Sequence, residues 1–236
     1  MGLFSAIAGF IGGICSAIGS VCSAIGLGSL GTVLTAAITA LNPIVGLIMA
    51  AIPLVLQILK ILAPNEVKPE EIENGELAVK AEACKDDIKP ENYKTHSEYI
   101  QAVRESVEND PEKKAWVDEK MKTLSPEDLT VYKCISVGMA GQLVAEKLGT
   151  EAVDPAFLAK ANAIGLDAEK TISLIKGLSD QGVSTNNASK YFEGNLESAD
   201  FEKAGESIKF VMGKIDPSLS VNSMSEKIDA AIKSEQ

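Results

Sequence analysis

Residues 1–59, MGLFSAIAGFIGGICSAIGSVCSAIGLGSLGTVLTAAITALNPIVGLIMAAIPLVLQIL, contain no charged side chain. A spanning helix needs about 20 apolar residues, so the run has room for two. Gly26, Gly28 and Gly31 mark the natural break. They predict a first helix near residues 3–27 and a second from about 32 to 62. Asn42, Pro43 and Pro53 fall inside the second and are expected hinges, because proline lacks a backbone donor and clashes with the preceding turn. The expectation is an apolar, glycine-rich helical hairpin over residues 1–63.

The first helix carries a repeat. Gly2, Ser5, Gly9, Gly12, Ser16, Gly19, Ser23 and Gly26 follow one another at spacings of three and four without a miss. This is a heptad whose seam is glycine and serine. The bulky residues Phe4, Ile7, Phe10, Ile11, Ile14, Ile18, Val21 and Ile25 lie on the opposite face. In water a helix hides its large apolar residues and exposes polar ones. A small seam with large residues outward is how helices pack in lipid, where close van der Waals contact takes over from the hydrophobic effect. The same pattern fits a hairpin buried at the dry core of a large assembly. The nine glycines before residue 50 make an isolated helix in water unfavourable, at about 1 kcal/mol each relative to alanine.

Gly2-Leu3-Phe4-Ser5-Ala6-Ile7-Ala8-Gly9-Phe10-Ile11 resembles the fusion peptide of influenza haemagglutinin. The resemblance implies an N-terminal glycine, exposed by removal of Met1, leading an apolar wedge that enters a bilayer obliquely. The chain then continues Gly12-Gly13-Ile14-Cys15, without the acidic residues and tryptophan of that family. A cleaved signal peptide is not expected, since no basic residue precedes the apolar run. N-myristoylation wants Ser or Thr where Ala6 stands.

All 22 Lys+Arg and 33 Asp+Glu lie at or beyond Lys60, and the net charge is −11. With one arginine, Arg104, the chain lacks the cationic density that phosphate binding requires, so no nucleic-acid partner is expected. Pro64-Asn65-Glu66 and Lys68-Pro69-Glu70-Glu71 mark the change of composition. They place a linker and a first acidic helix at 64–94 and a soluble acidic helical domain at 95–236. A fragment starting near Val67 is expected to be soluble. Helix starts recur: Thr95…Glu98 and Ser223…Glu226 have capping-box spacing, and Asp110-Pro111, Ser125-Pro126 and Asp154-Pro155 put proline at the first helical position. Apolar residues follow at helical spacing, as in Tyr99, Val103, Val107 and in Leu129, Tyr132, Ile135, Met139, Leu143. Leu158, Ile164, Ile172, Ile175 and Leu178 suggest two shorter helices, and Ile208, Val211, Met212 and Ile215 a longer one ending near Asp216-Pro217. Residues 134–148, the most apolar stretch here, read as a central core helix. The predicted class is all-α with essentially no sheet.

Chemistry is sparse. His96 has no nucleophile or acid beside it and reads as a solvated first-turn residue. Cys15, Cys22, Cys84 and Cys134 lack metal-ligand spacing and read as small apolar side chains. Glu70-Glu71 and Asp86-Asp87 lack the calcium-loop pattern and read as solvated faces. Trp116 is a lone aromatic, and Asn187-Ala188-Ser189 is a formal glycosylation sequon. No catalytic, cofactor or metal site is expected, and no enzyme. Two functions fit. One is a membrane-inserting, self-associating pore, anchor or perforating effector; the other is a structural subunit of a filament, capsid or similar secreted or viral assembly. The expected partners are a lipid bilayer or neighbouring subunits, in a homo-oligomer.

Overall fold

The computed structural model describes residues 42–234. Among the described residues there are twelve α-helices, a short 3-10 turn and no strand. The seam Gly2–Gly26 and the outward face Phe4–Ile25 lie outside them.

The centre is a 23-residue helix at Pro126–Leu148. The Ser125 hydroxyl accepts from the Asp128 N–H at 3.1 Å, Pro126 occupies the first turn, and Glu127 and Asp128 lie at the positive end of the helix dipole. Gly149, at φ +68, ends the helix in the left-handed conformation, and Thr150 N–H returns to the Ala145 carbonyl at 2.9 Å. Val131, Tyr132, Cys134, Val137, Ala140, Leu143 and Val144 are buried, so several faces of the helix are covered.

Numbered in chain order, the preceding helices are α1 (Asn42–Ala50), α2 (Ile52–Leu62), α3 (Pro69–Glu73), α4 (Glu76–Ala83), α5 (His96–Asn109) and α6 (Pro111–Thr123), which makes the central helix α7. The 3-10 turn Pro90–Asn92 lies between α4 and α5. α7 packs against α1, α2, α3, α4 and α5. The approach of α4 depends on Gly75, which has φ +72; a Cβ there would lie 2.7 Å from the Lys133 nitrogen. Gly75 offers no capping side chain, and the buried Ser136 hydroxyl of α7 accepts from the Ala78 N–H at 3.1 Å instead. The first turn of one helix is thus capped by the flank of another.

Beyond α7 come α8 (Pro155–Ala163), α9 (Ala168–Asp180), α10 (Thr185–Glu193), α11 (Ser198–Ile215) and α12 (Val221–Ser234). Their joints repeat one device. After α8, Gly165 turns left-handed, Leu166 N–H bonds the Ala161 carbonyl, Leu166 buries, and Asp167 caps α9. After α9, Gly182, Val183 and Ser184 do the same for α10. The Schellman turn, its buried apolar residue and the next N-cap are compressed into three residues. α1 packs mainly against α8, α9 and α10 pack against α11, and α12 closes over α1 and α8.

α1 and α2 come from the apolar side of residue 63, yet they join the acidic helices in one core. Val45, Leu47, Ile48, Ile52, Leu54, Val55, Ile58 and Leu59 share a continuous cluster with Ile72, Leu143, Leu158, Ile175 and Ile208. An apolar helix end is equally at home in lipid or in a protein interior, and here its neighbours are α7, α8 and α9.

Two further sequence expectations change. The last helix starts at Val221 and not at Ser223, because the Ser220 hydroxyl takes the Ser223 N–H at 3.1 Å. Glu71 is not on a solvated face: it is 1 % exposed and ion-paired.

Candidate functional site

The hinge residues sit at helix starts. Asn42 and Pro43 open α1, and Pro53 lies in the first turn of α2. Between the helices Ala51 keeps right-handed helical angles (φ −86, ψ −8). Its N–H bonds the Leu47 and Ile48 carbonyls, both at 3.1 Å, and its carbonyl accepts from the Val55 N–H at 3.0 Å. Helical bonding therefore runs through Ala51, and the interruption is the donor that Pro53 lacks. α1 and α2 are thus one proline-broken rod, the described part of the predicted second helix; the other arm of the expected hairpin lies outside the described residues. Asn162 of α8 donates its side-chain amide to the Ala50 carbonyl at 3.1 Å, beside the break.

Just downstream of α2 lies the densest polar network in the described residues. Lys80 Nζ lies 2.8 Å from Glu71 Oε1 and 2.8 Å from Glu76 Oε1. Arg104 Nε donates to the same Glu71 oxygen at 3.1 Å, and its Nη1 donates to the Glu66 carbonyl at 3.2 Å. The Lys68 N–H supplies Glu71 Oε2 at 3.0 Å. Glu66 Oε1 pairs with Lys147 Nζ at 2.5 Å, and Lys147 lies 3.6 Å from Glu146 Oε1. Glu146 Oε2 then accepts the His96 and Ser97 N–H groups at 2.6 and 3.1 Å, capping α5. A chain of charges thus fastens the α2–α3 loop to α4, α5 and α7. Burial alone would raise the Glu71 pKa, but the bonds from Lys80 and Lys68 and the charges of Lys80 and Arg104 outweigh it and hold the carboxyl below its ordinary value. Sequence reading missed this cluster because its members are up to dozens of residues apart.

His96 is half-buried at the end of this chain, and burial lowers its pKa against the opposing pull of Glu146. The Asn187 sequon lies within α10, where Ser189 is buried and its hydroxyl is 2.6 Å from Lys160 Nζ. A serine beside a lysine has the makings of a nucleophile and base. Here the three ammonium donors are taken up by the Ser189 carbonyl, the Ser189 hydroxyl and Glu193. The adjoining cavity, bounded by Phe157, Ile164, Leu174 and Ile208, holds about 10 Å³, the space of one water. The trio fastens α8 to α10 and leaves no room for a substrate. Cys84 and Cys134 are buried free thiols, and burial pushes Cys134 up to about 12, far from a reactive thiolate. Lys120 sits 5.6 Å from the ring centres of both Trp116 and Tyr132, so Trp116 has company. Among the described residues no group of three or more His, Cys, Asp or Glu could hold a metal ion, and no single helix is long and apolar enough to cross a membrane. No protein-family model, curated protein or solved structure matches this chain.

Proposed function

We propose that this chain is a membrane-inserting, self-associating helical protein whose N-terminal apolar segment enters a bilayer while its acidic helical domain stays at the surface. It acts physically, as a pore, anchor or perforating effector, with no enzymatic step and no cofactor. The carrying observation is the unbroken three-four spacing of Gly2, Ser5, Gly9, Gly12, Ser16, Gly19, Ser23 and Gly26 inside a run without charge. Such a seam lets backbones approach closely where no hydrophobic force joins helices. The likeness of residues 2–11 to a fusion peptide adds support.

Flotation of the full chain with liposomes, resistant to carbonate and high salt, is the expected result. Gly12→Leu with Gly19→Leu abolishes the oligomers and leaves partitioning intact. Unchanged oligomers in that variant remove the seam; regular lipid-free polymers replace this function with that of a structural assembly subunit.

A further inference from the structure

α1 and α2 together span residues 42–62, 21 residues with Lys60 as their one charge. At 1.5 Å per residue such a rod is about 32 Å long, close to the roughly 30 Å hydrocarbon core of a bilayer. Each half alone is too short to span, at 9 and 11 residues. Because Ala51 already has helical angles and helical hydrogen bonds, the two halves form a spanning element with no new backbone geometry beyond a proline kink. Proline is tolerated in membrane helices where neighbouring side chains, waters or local adjustments satisfy the backbone groups it frees. In the fold, Ala50, Pro53, Gln57, Lys60 and Ile61 face water. Three of these five are apolar, a poor solvent stripe for a soluble helix. Lys60 lies at the end, where its ammonium reaches an interface.

Beyond the apolar packing of its buried face, the rod is restrained by polar groups at its joints. Asn162 holds the Ala50 carbonyl, and Arg104 and Lys147 hold the loop after Leu62 through Glu66, next to the Glu71–Lys80 pair. We propose that α1 and α2 are a membrane-length helix stored in the acidic domain and clasped at its downstream end by Glu66, Glu71, Arg104 and Lys147, and that opening this clasp at a bilayer transfers the helix from protein to lipid. This rests on the membrane-inserting reading above. Lipid is the ligand that can drive the exchange, because it covers the same apolar side chains that the core covers now, whereas water does not. What opposes the transfer is the clasp and the face that α7, α8 and α9 would lose.

The test uses the full chain carrying Trp116→Phe and one reporter, either Phe4→Trp in the N-terminal segment or Gln57→Trp on the exposed side of α2. The vesicles are phosphatidylcholine with brominated acyl chains, which quench tryptophan on insertion. Each reporter is read with the clasp intact and with it opened by Lys147→Gln, alone and combined with Arg104→Gln. Lys147 is a surface residue, so the single variant keeps the fold, as circular dichroism without lipid verifies. The expected result is quenching at residue 4 in every background, and quenching at residue 57 several-fold stronger once the clasp is opened. Quenching at residue 4 with residue 57 unquenched throughout overturns the transfer. Equal quenching at residue 57 with the clasp intact and open overturns the clasp. No quenching at either position sinks the membrane-inserting reading itself.

Discussion

At Glu71 two cations and a backbone N–H converge on a carboxylate that is 1 % exposed. Taking such charges out of water costs several kcal/mol per ion, which the pairing offsets only while every partner is present. Glu71→Gln therefore leaves Lys80 leaning on Glu76 alone and Arg104 without its carboxylate. The expected loss is about 3 kcal/mol at pH 7, the lower end for a broken buried pair because Lys80 keeps its bond to Glu76. Its pH dependence has a definite sign. A carboxylate whose folded pKa is depressed contributes stability in full above its unfolded pKa and loses it as pH falls through the folded value. Glu71 lies below 4.5 in the fold, so the gap between wild type and Glu71→Gln should be constant from neutrality down to about pH 5 and shrink as pH falls through the carboxylate range. Urea midpoints of both chains across that range measure it. A difference under 1 kcal/mol at pH 7, or one still intact at pH 3, contradicts the account.

Among the elements, two kinds of left-handed glycine are distinguishable. Gly75 has φ +72 and a would-be Cβ 2.7 Å from backbone of α7, whereas Gly194 has φ +70 with nothing within 4 Å. Alanine at 194 bears only the conformational cost, about 1 kcal/mol, as the left-handed region imposes on any L side chain. Alanine at 75 also forces α4 off α7 and should cost at least twice as much, with a lower thermal midpoint; equal losses at the two sites would show that the close approach does not matter. The local half of this architecture was legible. Thr95, Asp110, Ser125 and Asp154 each accept a first-turn N–H, as their spacing to the following helix implied. The caps supplied from elsewhere were not: Ser136 for α4 and Glu146 for α5 act across 58 and 50 residues, and no local pattern encodes such partners. The same limit hid Glu71, since adjacent glutamates look alike whether a lysine and an arginine reach back to them or water does. α10 also escaped, its Thr185-Asn186-Asn187 opening being poor in helix formers and its cap a lone Ser184.

For the whole molecule, hydropathy changes sharply at Lys60, but the fold does not divide there. An almost wholly apolar rod has the same signature in lipid and in a protein core, so composition alone places it on the wrong side of a boundary as readily as the right one. The packing makes the consequence measurable. Eight Val, Leu and Ile side chains of α1 and α2 are buried against α7, α8, α9 and α12. At about 1.5 kcal/mol or more each, their gross burial is roughly 12 kcal/mol, as large as the whole net stability of an ordinary domain. A fragment beginning at Asn42 keeps this rod and should unfold in one cooperative urea transition. A fragment beginning at Val67 also loses the Glu66 contacts to Arg104 and Lys147, and it exposes the apolar flanks of α7 and α8. It should aggregate, or persist as a helical state that binds hydrophobic dyes and melts without cooperativity. A soluble, cooperatively folding Val67 fragment would show that the acidic helices form a domain without the rod, and would restore a boundary at residue 63.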